Sequence, residues 1–276
     1  MHDPQTNWKA AYREQGFAVV PGLLPTAAFE PLCSDIEAAV ERHAQELFQE
    51  GKVADICARE PYDRRLAKLY TGRDMGVRMW DQALRSSTLQ DFASQPALAG
   101  VLAELLGPEV CFSGDFHLRP KLPESSLTSF PWHQDSQYYG PLTRHMAIVT
   151  AWVPLVDVDE SNGCLWVIPG SQRWGLLDGA RGSDQNIRTF EDVERRGRAV
   201  PVPMKRGDVL FFGNLTFHAS KLNRTDRVRW SLDLRYYERA EARPREPLET
   251  EAYAYFTGKL RAAGREPMPV RQPALS

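Results

Sequence analysis

Arg229-Trp-Ser-Leu-Asp-Leu-Arg-Tyr236 alternates without a break. Arg229, Ser231, Asp233 and Arg235 fall on one face of an extended chain, and Trp230, Leu232, Leu234 and Tyr236 on the other. Two placements follow. If the polar face looks outward, Arg229 pairs at the surface with Asp226 or Asp233, a contact worth little. If it lines the cavity of a barrel, the arginine needs an anion to hold, and its planar fork suits a carboxylate.

Upstream, similar short apolar or alternating runs recur at Val110 to Leu118, Ala147 to Val158, Cys164 to Ile168 and Val209 to Phe212, separated by Gly, Pro, Asn and Asp. Many short strands at close spacing indicate a β-sandwich or barrel. The dipeptides Asn162-Gly163 and Pro169-Gly170 suit tight turns and call for no chemistry. Before residue 109 the texture is mainly helical. A short strand, Gly16 to Pro21, leads to Phe29, Leu32, Cys33, Ile36 and Val40 at helical spacing with Thr26 as N-cap. Arg64 to Ser94 reads as mixed helix and loop, and Pro96 to Leu106 as a helix stopped by Gly107-Pro108. Glu249 to Ala263 reads as a closing helix, followed by a proline-rich tail. The expected fold is mainly β with flanking helices around a double-stranded β-helix (jelly-roll, cupin-like) core. One domain spans 1–276, with a helical part at 1–108, the jelly roll at 109–240 and a helix and tail at 241–276. Ser171 to Val200 is long for a connection inside such a fold, and is either a lid or a solvated insertion.

With 276 residues, 42% hydrophobic, the chain can bury a sizeable core. Its 34 Lys and Arg nearly balance 36 Asp and Glu, with no long run of one sign, so there is no electrostatic footprint for nucleic acid. Met1 to Val20 lacks a signal-peptide h-region, and there is no run of 18 apolar residues to span a bilayer. A cytoplasmic protein with a small-molecule partner is expected, its oligomeric state open. Cys33, Cys57, Cys111 and Cys164 are dispersed, without a CxxC pair, and read as free thiols, most of them buried, Cys164 among these.

His133-Gln-Asp135 places an imidazole and a carboxylate two residues apart, on one face of an extended segment. That is two-thirds of a 2-His-1-carboxylate triad, which binds Fe(II) and leaves three positions open. A hydrogen-bonded structural pair is the ordinary alternative. His218, which follows the apolar run Gly207-Asp-Val-Leu-Phe-Phe212, offers a third ligand from a distant strand, with His117 and His145 as rivals.

An ordered set of motifs resembles the phytanoyl-CoA dioxygenase family of Fe(II)/2-oxoglutarate oxygenases. The set comprises Pro131-Trp-His-Gln-Asp135, Trp152-Val-Pro-Leu-Val-Asp157, Asn162 through Ser171, Gly207 through Phe212, and His218-Ala-Ser220 with Arg229. Gly16 to Val20 and Leu105-Leu-Gly-Pro108 look like the family's start, so the likeness runs from Gly16 to Tyr237. The resemblance implies His133, Asp135 and His218 as iron ligands and Arg229 as anchor for the distal carboxylate of 2-oxoglutarate. It further implies Ser220 as a second contact to that carboxylate and Trp152 in the wall of the cosubstrate pocket, though an ordinary core tryptophan reads the same way. Arg119 or Lys121 matches a basic residue often found on the strand before the HxD turn. Gln172 departs from the family's usual histidine, at a position that is not an iron ligand.

The implied reaction consumes O2 and 2-oxoglutarate, releases succinate and CO2, and hydroxylates a small polar metabolite or natural-product intermediate. An aspartate at 135 favours hydroxylation over halogenation, while desaturation, epoxidation, cyclisation or an acyl-CoA substrate remain as alternatives. A zinc enzyme of the same fold and a non-catalytic binding barrel are the rivals from other classes. Trp80, Trp132, Tyr138 and Tyr139 are candidate pocket walls, and Arg64-Arg-Leu-Ala-Lys68 a candidate contact for an anionic group.

Overall fold

A computed structural model of the chain describes residues 8–72 and 80–270. The expectations that touch residues 1–7, 73–79 and 271–276 (the polar start, the middle of Arg64 to Ser94 and the end of the tail) lie outside the described residues. The amino-terminal part holds α1 (Trp8–Gln15), β1 (Phe17–Val20), α2 (Glu30–Gln49), α3 (Tyr62–Tyr70), α4 (Ser86–Ala93) and α5 (Pro96–Leu106). Then follow β2 (Val110–Lys121), β3 (Phe130–His133), α6 (Asp135–Tyr139), β4 (Ile148–Pro154) and β5 (Leu165–Val167). The 171–200 stretch contributes β6 (Gly179–Arg181), β7 (Ile187–Thr189) and α7 (Val193–Arg196). After it come β8 (Val200–Val202), β9 (Val209–Gly213), β10 (His218–Ser220), β11 (Arg229–Glu238), α8 (Pro247–Ala262) and β12 (Met268–Pro269).

Two antiparallel sheets form the jelly roll. The larger runs β1-β9-β4-β11-β2-β12 and the smaller β3-β10-β5-β8. Both edges of the larger sheet, β1 and β12, come from outside residues 109–240.

The alternation of β11 sorts its side chains between two environments. Trp230, Leu232, Leu234 and Tyr236 join one apolar cluster with Phe29, Leu32, Ile36, Leu98 and Leu102 of the helices. Each such burial contributes roughly 1.5–3 kcal/mol. Val149, Ala151, Val153, Val209 and Phe211 send their side chains the same way. Their neighbours Trp152, Leu210 and Phe212 pack instead with Cys164, Leu165 and Val167, against the smaller sheet. The polar residues of β11 therefore face the space between the sheets, and the cavity placement of Arg229 holds.

α2 forms where apolar residues recur every three or four positions, burying Leu32, Ile36 and Val40 on the sheet side and Leu47 against Val53 and Leu69. Its start differs from expectation. Thr26 opens a 3-10 turn, Thr26–Phe29, and no side chain caps either that turn or α2. Pro31 near the helix start supplies the fixed φ in place of a cap. α5 occupies Pro96–Leu106 and stops at Gly107, whose φ is 98°. α8 lays Ala252, Tyr253, Phe256 and Leu260 against Ile148 and Tyr237 at one end of the larger sheet.

A bulge in β2 shapes the site. Leu234 pairs with Phe116 but Tyr236 with Phe112, so β2 spends extra residues over this stretch. Gly114 takes a φ of 75° there, and a Cβ would lie 2.9 Å from the Glu266 carbonyl oxygen. The distortion leaves Asp115 and His117 lining the cavity described next.

Candidate metal centre

His133 ends β3 and His218 begins β10, and the two are direct partners across the strand pair. Their ring centroids lie 4.2 Å apart. Asp135 does not continue the strand as expected. It is the first residue of α6, and Gln134 between them is extended (φ −110°, ψ 139°). Gln134 closes a capping box with Gln137, which turns the chain into the helix and directs the Asp135 carboxylate back to the imidazoles. One ligand atom from each of His133, Asp135 and His218 lies within 4.8 Å of the others, and all three residues are buried.

The imidazole nitrogens are assigned by their partners. Nδ1 of His133 donates to the Pro131 carbonyl (2.8 Å) and Nδ1 of His218 to the Thr216 carbonyl (3.0 Å). Both Nε2 atoms are then free to offer lone pairs. Burial, with His218 beside it, pushes His133 down to about 3, and burial lowers His218 as well, so both rings are neutral ligands at neutral pH. Burial alone would raise the Asp135 carboxyl, but Arg235 and the two histidines outweigh it and hold it below its usual range. Thr150 donates to Asp135 Oδ2 at 2.6 Å, and Arg235 Nε lies 3.7 Å from the same oxygen.

Two buried neutral imidazoles and one ionised carboxylate with converging lone pairs fit a divalent transition metal, and the face turned to the cavity carries no fourth protein ligand among the described residues. His117 does not compete, because its Nδ1 is 3.0 Å from Asp81 Oδ2. His145 accepts from Arg144 at the surface.

One cavity between the sheets joins His133 and His218 to Trp152, Ser220, Arg229 and Arg235. Arg229 is 3% exposed, and its Nη1 donates to Ser231 Oγ at 2.5 Å while Nε has no partner. Burial brings this guanidinium down to about 10, a cost that Asp233 only partly offsets. Trp152 lines this cavity with the Arg229 guanidinium 5.3 Å from its ring and also packs in the inner apolar cluster. Ser220 Oγ accepts from the Phe130 amide at 3.3 Å and keeps its hydroxyl hydrogen for another acceptor.

A second, larger cavity of about 370 Å³ opens on His133 and Asp135, walled by Tyr138, Arg119, Arg235 and the tip of the β6–β7 hairpin at Gln185 and Asn186. The 171–200 stretch is thus the roof of the site. Gln137 ties it down through Leu177 and Thr189 (2.9 Å each), and the Ile187 amide donates to Tyr138 Oη at 3.0 Å.

Of the other expected walls, Tyr139 also lines this cavity, while Trp80 and Trp132 do not. Trp80 stacks edge-on to Trp230 in the helix-side core, and Trp132 donates to Glu194. Tyr139, half-buried, packs edge-on against Phe256 and donates its hydroxyl to Asp115, which also lines the cavity. Arg64, Arg65 and Lys68 pair with Asp226, Glu41 and Glu60, so that segment offers its cations to its own chain. Lys121 is buried beside Arg229 and donates to the Thr128 carbonyl at 2.7 Å. Gln172 bonds to the Glu14 carbonyl near α1, away from the metal centre.

Thr150, Asn214 and Arg235 contact the ligand candidates or α6, placements that the sequence reading did not assign. Thr150 and Arg235 were findable, since each shares a strand face with an assigned residue. Asn214 gave no signal. It donates to Ser136 Oγ of α6 (2.7 Å) and to the Thr143 carbonyl in the turn that follows (2.9 Å).

The sequence profile of the phytanoyl-CoA dioxygenase (PhyH) family matches residues 12–231. The human peroxisomal phytanoyl-CoA dioxygenase is 26% identical over 243 residues, which cover 82% of this chain and 66% of that one. The chain therefore spans just under two thirds of that relative's length. A methylphosphonate hydroxylase of Gimesia maris is 33% identical over 116 residues, 41% of each chain. The solved epimerase SnoN, in complex with Fe3+, alpha ketoglutarate and nogalamycin RO, superposes with a TM-score of 0.57 at 22% identity, covering 99% of this chain and 97% of that one. That last likeness is one of fold.

Proposed function

Because the chain belongs to the phytanoyl-CoA dioxygenase family, we propose that it is an Fe(II)- and 2-oxoglutarate-dependent oxygenase that hydroxylates a small polar metabolite or natural-product intermediate. In this reading 1–276 works as a single oxygenase domain. His133, Asp135 and His218 hold the iron, and Arg229, Ser220 and Trp152 hold 2-oxoglutarate. Bound together, the metal and cosubstrate would supply O2 activation, with succinate and CO2 as co-products.

The observation that carries the reading is Arg229. A buried guanidinium with an unpartnered Nε, in the same cavity as the two imidazoles, is a charge awaiting a carboxylate. Ser220 adds a hydroxyl donor on the same strand as His218, and Trp152 gives a flat apolar wall. Thr150 and Arg235 keep Asp135 ionised and aimed. The Ile187 amide on Tyr138 Oη fixes the roof against one wall of the reaction space. The partner is a small molecule, since the cavity of about 370 Å³ is of metabolite size. Among the described residues no helix is long and apolar enough to cross a membrane.

Succinate formation from 2-oxoglutarate, measured with Fe(II) and O2 across a metabolite panel, tests the proposal. Stimulation by one class of compound identifies the substrate. Wild-type turnover that persists without iron would contradict the proposal.

A further inference from the structure

The cavity over the metal centre contains a second buried arginine besides Arg229. Arg235 is 6% exposed, yet its Nε and Nη1 have no hydrogen-bond partner. Asp115, Asp135 and Asp233 surround it at 3.6–3.9 Å, close enough to hold its charge but without hydrogen-bond geometry. Leaving a buried guanidinium so poorly satisfied is costly unless a ligand completes it. Arg235 borders both the inner cavity and the larger one.

Arg119 shares both cavities with it. Its Nε is on Asp233 Oδ2 at 2.5 Å and its guanidinium lies 4.4 Å from the Phe130 ring centroid, which fixes the plane of the fork. Burial opposes the charge on Asp233, but Arg119 and Arg235 outweigh it and keep the carboxylate ionised. Asp115 is satisfied from the other side by the Tyr139 hydroxyl at 2.7 Å and by Arg265 at 3.8 Å. With Arg229 committed to 2-oxoglutarate and Asp135 to the metal, Arg119 and Arg235 face Asp233 with one positive charge to spare. The hydroxyl of Tyr138 accepts from the Ile187 amide, which leaves its own hydrogen to donate into the same space.

We infer that Arg119 and Arg235 form a second anion subsite, which takes the carboxylate or phosphonate of a compact acid and sets the carbon next to that group over the metal centre. The inference rests on the oxygenase reading above and narrows its substrate. Position supplies the size limit. Arg235 Nε is only 3.7 Å from Asp135 Oδ2, so an acid seated on it has its first or second carbon beside the metal. A neutral substrate would leave the arginine as unpaired as it is now.

The test uses the Fe(II)-loaded protein under anaerobic conditions, with calorimetric titration of 2-oxoglutarate and then of methylphosphonate, ethylphosphonate, propanoate and neutral propanamide. At least one acid is expected to bind, with propanamide at least about tenfold weaker. Arg119→Gln should weaken that acid by about tenfold or more while 2-oxoglutarate affinity stays within about twofold; Arg235→Gln, compared at matched iron content because Arg235 also faces Asp135, should weaken the acid as much, and Arg235→Lys should recover part of the loss. The tighter of the phosphonate and carboxylate arms identifies the acid class. Acids that bind no better than propanamide would overturn the inference, as would an Arg119→Gln protein that binds the acid like wild type. If Arg235→Gln does not fold, Arg119→Gln decides alone. If wild type does not bind 2-oxoglutarate, the oxygenase reading falls, and the acid titrations repeated without it still decide the subsite.

Discussion

His133 and His218 are cross-strand partners on β3 and β10, so one backbone register sets the distance between the two imidazoles. The third ligand group, Asp135, is delivered by the helix turn that Gln134 starts. Metal affinity in this account depends on both devices.

Removing a ligand should abolish tight binding without unfolding the sheet. His133→Ala and His218→Ala are expected to lower Fe(II) affinity by more than about 100-fold, beyond the 10–100-fold typical of outer partners. Metal analysis after desalting, beside circular dichroism, checks this. Full iron content in either variant would count against the ligand set.

Thr150→Val keeps the shape of β4 but deletes the 2.6 Å hydrogen bond to Asp135. Iron affinity should fall about 10–100-fold with little change in the thermal midpoint. Unchanged affinity would show that Arg235 alone orients the carboxylate.

Arg229 separates stability from function. Its Nε is unpartnered in a buried place, so Arg229→Met should cost little stability or even raise it. Binding of 2-oxoglutarate should weaken by about 2–5 kcal/mol, because the distal carboxylate loses a buried charged partner. Denaturant midpoints and a cosubstrate titration measure the two effects.

Lys121 gives the fold a pH dependence. Burial, then Arg229 and Arg119, push its ammonium down to about 6. In the unfolded chain the group titrates near its ordinary value of about 10.4. Between those limits the unfolded state holds the proton and the folded state does not, so this group makes stability rise with pH from about 6 to 10. Below that window the full penalty applies. Lys121→Met should flatten the rise, gaining most relative to wild type toward pH 6, which urea midpoints at pH 6.5 and about 9 would show. Parallel pH profiles would contradict it.

Much of this was legible in particular residues. The alternation from Arg229 to Tyr236 already separated a helix-side face from a cavity face, because period two leaves an extended chain no other choice. His133, Asp135 and His218 were legible as a candidate ligand set only through the ordered motifs around them, since the HxD pair alone left His117 and His145 as rivals. What was not legible depended on long-range contacts. Thr26 looked like a cap, but the 3-10 turn and Pro31 began the helix instead. Gln134 and Gln137 turn Asp135 into a helix through a local bond pattern that an HxD triplet does not advertise. The 171–200 stretch became a roof only through Gln137 and Tyr138, whose partners lie some 40 to 50 residues downstream. The spare charge at Arg235 emerges only after the β2 bulge and Asp233 are placed around it.

The central claim is that Arg229 completes an iron-linked 2-oxoglutarate site, and anaerobic titration of 2-oxoglutarate into the Fe(II)-loaded protein tests it most directly. Wild type should bind one equivalent in an iron-dependent manner, His218→Ala should lose that dependence with its iron, and Arg229→Ala should keep the iron but bind far more weakly. Wild-type affinity in Arg229→Ala, or equal binding with and without iron, would contradict the account.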